Sequence, residues 1–130
     1  METVVMVFAG EYDIASKEQL RAELQLLVPV SDLVLDFTQV TYLDSTAVSE
    51  MIRMHRLRAD HLYERETIVV HNENIQKLFD MLQLHEVFHL VGTLDEALGN
   101  GQPAAIRYAF LDGDGRATQP PPVVHLQQSR

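Results

Sequence analysis

Asp44-Ser45-Thr46 is the segment whose residue types and position bear most directly on chemistry. Val40-Thr41-Tyr42-Leu43 before it reads as a strand, and the residues from Val48 onward read as a helix. The three residues therefore form a strand-to-helix turn, where free backbone N–H groups meet the positive end of a helix dipole. With Asp44 as N-cap, Ser45, Thr46 and Ala47 take the first three helical positions, and Leu43 and Val48 form a hydrophobic staple. A hydroxyl at this place stands open to a kinase. A phosphate on Ser45 would add roughly −1.5 to −2 charge beside Asp44. Simple helix capping is the competing reading of the same pattern. Ser45 is not read as a catalytic nucleophile, because no base and orienting group can be placed around it. Glu11 and Asp13 follow the first strand, and in a parallel sheet they leave on the same side as Ser45. They are read either as a recognition pair near it or as ordinary polar loop residues.

Three further patterns invite chemistry. His85-Glu86-Val87-Phe88-His89 has the zinc-peptidase spacing of two histidines four apart with a glutamate after the first. That chemistry requires a helix, whereas Val87–Val91 also makes a good short strand, on which the histidines stand about 13 Å apart. No third ligand is evident, so the zinc reading is a distant alternative. Asp112-Gly113-Asp114-Gly115 resembles part of a calcium loop without its later glutamate, and a turn fits it better. Arg53, Arg56 and Arg58, joined by Arg65, read as a solvated helix face. No glycine-rich phosphate loop follows any strand.

The elements that must position these residues come from a 130-residue chain, a length that suits one hydrophobic core. Nineteen acidic against ten basic side chains give a net charge of −9, which disfavours nucleic acid and anionic membranes as direct partners. Cysteine is absent, so disulfides and thiolate chemistry are excluded. No apolar stretch reaches the roughly 20 residues of a membrane-spanning helix, and the expected location is cytoplasmic.

Val4–Phe8, closed by Gly10, reads as a buried strand. A helix with Ser16 as N-cap and Leu20, Leu24 and Leu27 on one face runs to Pro29. Leu33–Phe37 is a second short strand, and Val40–Leu43 opens a third unit. Its helix carries Val48, Met51, Ile52, His55, Ala59 and Leu62 toward the core and ends near Tyr63. Thr67–Val70 is the next strand, followed by a helix capped at Asn72 or Asn74 with Ile75, Leu78, Phe79 and Leu82 apolar. Thr93–Leu98 forms a last short helix closed by Gly99. This βαβ grammar implies an α/β fold with a mainly parallel sheet. Residues 101–130 read as a C-terminal extension, with a strand at 105–110 and a mobile tail containing Pro120-Pro121-Pro122.

The ordered series Gly10-Glu11-Tyr12-Asp13, Val34-Leu35-Asp36-Phe37, Tyr42-Leu43-Asp44-Ser45-Thr46-Ala47-Val48, Leu78-Phe79-Asp80-Met81 with Leu84, and Thr93-Leu94-Asp95-Glu96-Ala97-Leu98 resembles the STAS domain family, specifically the bacterial anti-sigma factor antagonists. The resemblance spans roughly residues 3–99 and marks residues 1–100 as the STAS-like domain. It implies a sheet of four or five strands with helices packed against it. It implies no enzyme and no cofactor, but a protein that binds a serine-kinase anti-sigma factor when unphosphorylated. Phosphorylation of Ser45 then ends the capture and a metal-dependent phosphatase restores it. The implied partner surface is Asp13, Asp44, Ser45, Thr46, Ala47 and Val48. A STAS scaffold or sensory module with another partner is the alternative.

Two departures stand out from the family pattern. Ala47 and Ser49 occupy positions usually held by glycine. The strand that usually precedes Val4–Phe8 is missing, and Ala105–Phe110 is expected to take its place on the sheet edge, within the chain or across a homodimer, since an open apolar edge invites aggregation.

Overall fold

The computed structural model describes residues 3–61, 66–99, 101–111 and 124–125, with 109–111 and 124–125 described by backbone alone. Strand β1 (Thr3–Tyr12) leads through a 3-10 turn at Ile14–Ser16 into α1 (Lys17–Gln25), then β2 (Asp32–Leu43) and α2 (Ser45–Asp60). After these come β3 (Glu66–Val69), α3 (Glu73–Met81), a 3-10 turn at Leu84–Glu86, β4 (His89–Val91) and α4 (Leu94–Leu98). Strands β5 (Ala105–Leu111) and β6 (Val124–His125) complete the described chain. The strand order is β4-β3-β2-β1-β5-β6. Every pairing from β4 to β5 is parallel, and β6 alone is antiparallel.

The order explains the layers. Three successive crossovers step outward from β1 to β4, and right-handedness puts α1, α2 and α3 on one face. The fourth returns across the sheet to the far side of β1, which carries α4 to the other face. The larger core lies under the first three helices, where Phe8, Phe37, Met51, Met54 and Phe79 pack together. Ring edges connect Tyr12 to Phe8 at 5.7 Å and Phe8 to Phe37 at 5.0 Å. Val5, Val7, Val34 and Val69 point the other way, with Leu94, Ala97, Ile106 and Tyr108 against them. Period-two alternation along β1 and along β2 as far as Phe37 assigns each residue its face.

Several expectations are corrected. Leu33–Phe37 and Val40–Leu43 are one strand, β2, rather than two units. The register steps from Val7↔Asp36 to Ala9↔Gln39 and from Gly10↔Val40 to Glu11↔Tyr42, so β2 twice carries an extra residue. Asp36 supports the first bulge by accepting from Thr38 N at 2.9 Å and from Thr38 Oγ1 at 2.7 Å. At the second, Thr41 Oγ1 donates to the carbonyl of Gly10, whose φ of +96° is one that side chains rarely permit. Ser16 stands at the N-cap position of α1 as expected, but its Oγ makes no capping bond to the helix and bonds back to Asp13 instead.

Along α2 the buried positions are Ala47, Val48, Glu50, Met51, Met54 and Arg58, while Ile52, His55 and Ala59 are half-buried. Arg58 is thus no part of a solvated basic face. The helix closes at Asp60 with His61 as C-cap, and Leu62, Tyr63 and Arg65 lie outside the described residues. Asn72 is the cap of α3, its side chain accepting from Asn74 N and Ile75 N. The segment 105–111 pairs along β1 from Val4↔Ala105 to Gly10↔Leu111, within the same chain. It occupies the edge beside Val4–Phe8. The acidic turn at 112–115 and the proline triplet lie outside the described residues.

Candidate functional site

Parallel pairing brings Tyr12 opposite Leu43, so the chain leaves β1 and β2 side by side. The amide of Asp44 donates to the carbonyl of Tyr12 at 3.2 Å, which locks the two exits together. The Tyr12 ring is buried beneath them, with its hydroxyl accepting from Ala9 N at 3.2 Å. Burial pushes the Tyr12 phenol well above its ordinary range, so it remains neutral and acts as a fixed prop.

Asp44 is the N-cap of α2. Its Oδ1 accepts from Thr46 N at 3.0 Å and from Ala47 N at 3.2 Å, in extended backbone geometry. Ser45 follows as the first helical residue and its side chain is exposed. Thr46 is half-buried, and Ala47 and Val48 are buried against the core. Ala47 therefore supplies packing where glycine would leave a gap. Ser49 Oγ donates to the carbonyl of Ser45 at 3.0 Å, one turn down the same helix.

Asp13 stands on the neighbouring exit. Its Oδ1 accepts from Ala15 N at 2.9 Å, and its amide donates to Ser16 Oγ at 2.9 Å, a reciprocal capping arrangement. Its carboxylate is thus partly engaged in holding its own turn. Glu11 is exposed and lies opposite Tyr42 in the strand register. The structure brings Asp13, Asp44, Ser45 and Thr46 to one end of the sheet, with Ala47 and Val48 beneath as support.

Two exposed side chains at this end escaped sequence reasoning. Ile14 is 73% exposed and Tyr42 is 50% exposed. Alternation against the inward Leu43 was the available signal for Tyr42. Ile14 gives no such signal, since it belongs to a turn rather than to the stripe of α1.

The zinc-peptidase reading fails on backbone geometry. His85 lies in a 3-10 turn and His89 opens β4, so the two imidazoles share no helix face. Among the described residues, no group of three or more His, Cys, Asp or Glu side chains is arranged to hold a metal. None of their helices is long and apolar enough to cross a membrane.

The same arrangement of strands and helices occurs in known proteins. The anti-sigma factor antagonist SpoIIAA in its unphosphorylated form aligns with a TM-score of 0.56 at 22% identity, covering 73% of this chain and 84% of that one. The Bacillus cell fate determinant SpoIIAA in its phosphorylated form aligns with a TM-score of 0.57 at 24% identity, covering 75% and 89%. At such identities the likeness is one of fold. Among curated proteins none matches. The sequence profile of the family described as "Mlab, STAS domain" matches residues 1–96, close to three quarters of the chain. The chain belongs to the STAS domain family.

Proposed function

We propose that this protein is a cytoplasmic anti-sigma factor antagonist whose partner is a serine-kinase anti-sigma factor. In this reading unphosphorylated protein captures the kinase and frees a sigma factor. Phosphorylation of Ser45 ends the capture, and a metal-dependent phosphatase restores it. STAS domains are regulatory and scaffold modules rather than enzymes, so Ser45 is a substrate for chemistry done elsewhere.

The observation that carries the reading is the exposed Ser45 hydroxyl at the first position of α2, beside the exit of β1. A phosphate there would meet the positive end of the α2 dipole, which favours it, although Asp44 already accepts from the Thr46 and Ala47 amides. It would also meet Asp44 and the nearby Asp13 turn, which oppose it, and a packed partner surface would have to desolvate it. The fold shared with SpoIIAA, solved in both phosphorylation states, supports the same reading. Ala47 and Ser49 favour a second one. They give α2 a regular helical start at a place where glycine would let a kinase backbone approach, which suits a STAS scaffold bound to another partner.

The test is a pull-down from native lysate with wild-type protein and with Ser45→Asp, read by mass spectrometry. A kinase retained only by the wild type is the expected result. Equal retention by both forms, or no kinase with either, overturns the switch.

A further inference from the structure

We infer that Ile14 and Tyr42 are the apolar anchors of a protein-docking surface centred on Ser45, and that its partner presents an apolar recess with a cationic edge facing Glu11. The inference rests on the proposed regulatory role of the Ser45 end and specifies what that end recognises.

Ile14, Tyr42 and Ser45 each lie within two residues of the Tyr12–Leu43 pair, so they sit within about 7 Å of it along the chain. Only five large apolar side chains among the described residues are exposed: Ile14, Leu26, Tyr42, Met81 and Leu82. Leu26 follows α1, and Met81 and Leu82 end α3. In a parallel sheet the helices run back against the strands, so these three belong to the opposite end. The Ser45 end therefore carries its own apolar pair, at 73% and 50% exposure. Ile14 is carried by a turn that Asp13 caps, and the Tyr42 backbone is fixed in the β2 ladder opposite Glu11. An aromatic anchor that is already positioned loses little entropy on binding.

Charge selects the occupant. Glu11 is exposed beside Tyr42, with Asp13 and Asp44 next along the two exits, and the whole chain carries −9. An anionic membrane or a nucleic acid meets repulsion here. A second copy docked through this end would set the same three carboxylates against themselves. A different protein with Lys or Arg facing Glu11 meets attraction, and its apolar recess takes Ile14 and Tyr42. Such a contact is dry around Ser45, which is where a phosphate is most costly to desolvate.

The test places a photo-cross-linking amino acid at position 14, 42 or 81 of the full-length chain, expressed in its native cells, with adducts identified by mass spectrometry. Positions 14 and 42 are expected to capture the same protein at least about fivefold more strongly than position 81. Capture at position 42 should fall about fivefold in an Ile14→Ser or Glu11→Lys background. Both changes are at exposed sites, and an unchanged circular dichroism spectrum shows that the fold is retained. Equal capture from position 81, or capture indifferent to both substitutions, overturns the docking surface. The identity of the adduct separates this inference from the functional proposal. A serine kinase supports both, whereas a different protein that passes the same tests supports the surface and ends the kinase reading.

Discussion

At Arg58 a guanidinium with no exposed surface is held by one carboxylate and by main-chain carbonyls. Its Nε donates to Glu66 Oε2 at 2.7 Å, and its Nη1 donates to the carbonyls of Leu27 and Val30. His55 Nδ1 lies 2.5 Å from the other Glu66 oxygen. The group ties the end of α1, the last turn of α2 and the start of β3, at the far end of the helix that carries Ser45. Local sequence makes Arg58 look like a surface cation, because its partners lie 8 and about 30 positions away. Removing one member of a buried pair leaves the other charge uncompensated. Arg58→Ala is therefore expected to cost about 3–5 kcal/mol in urea denaturation, against about 1 kcal/mol for Asp44→Ala, which removes one helix cap. Acid should act on the pair of Arg21 and Glu50. The Arg21 guanidinium, bonded to Glu50 at 2.7 and 2.8 Å, holds the Glu50 carboxyl below the ordinary carboxylate range. Its folded pKa is depressed, so its contribution is present above the unfolded value of about 4.3 and is lost as pH falls through the folded value. Glu50→Gln should make the stability–pH curve flatter below about pH 4. A curve that keeps the same acid slope would assign acid loss to other carboxylates.

Elements whose ends are set by chemistry close in sequence were legible, and those set by cross-strand register were not. The start of α2 follows from Asp44 alone, and that of α3 is narrowed by sequence to Asn72 or Asn74, of which Asn72 is the cap, since each cap acts on amides two and three residues ahead. The continuity of β2 was hidden, because Thr38 and Gln39 look like a polar break. In the sheet they continue β2: the extra residue falls at Phe37–Thr38, opposite Phe8, and Gln39 is already paired with Ala9. The strand exits that carry the candidate site were legible to the same degree. Asp44, Ser45 and Asp13 could be placed by strand-exit geometry, while the exposure of Ile14 depends on a 3-10 turn that no apolar period announces. The end of α3 offers a test of local backbone cost. Gln83 takes φ 56° and ψ 40°, the left-handed region, immediately after the C-cap Leu82. Glycine occupies that conformation without a Cβ penalty, which amounts to roughly 1 kcal/mol. Gln83→Gly should raise the urea midpoint by an equivalent amount, with no change in m-value. A lower midpoint would mean that the Gln83 side chain contributes more than its backbone costs.

Across the whole molecule, β1 lies between β2 and β5, so its ladder has one wall from the STAS core and one from the C-terminal extension. Hydropathy alone suggested a strand near 105–110; the need to cover the edge of β1 suggested where it goes. The register of seven residue pairs from Val4↔Ala105 to Gly10↔Leu111 shows the cover in place within one chain. Ile106 and Tyr108 also pack against Val5 and Val7 on the face that α4 occupies. Removing residues 101–130 would strip this cover from β1 without touching the three helices over the main core. The loss combines a row of ladder hydrogen bonds with the partial burial of two large side chains, about 3 kcal/mol or more. The truncated chain is expected to unfold at lower urea concentration and to associate as concentration rises, because an exposed β1 edge of Val4-Val5-Met6-Val7-Phe8 carries no charge to discourage pairing. Light scattering over a dilution series reads the association, and urea denaturation reads the stability. The comparison needs a second truncation after Leu111, which keeps β5 and removes only the residues beyond that strand. If both truncations behave alike, the later residues rather than β5 protect the molecule. If only the shorter one aggregates, β5 is the strand that closes this sheet.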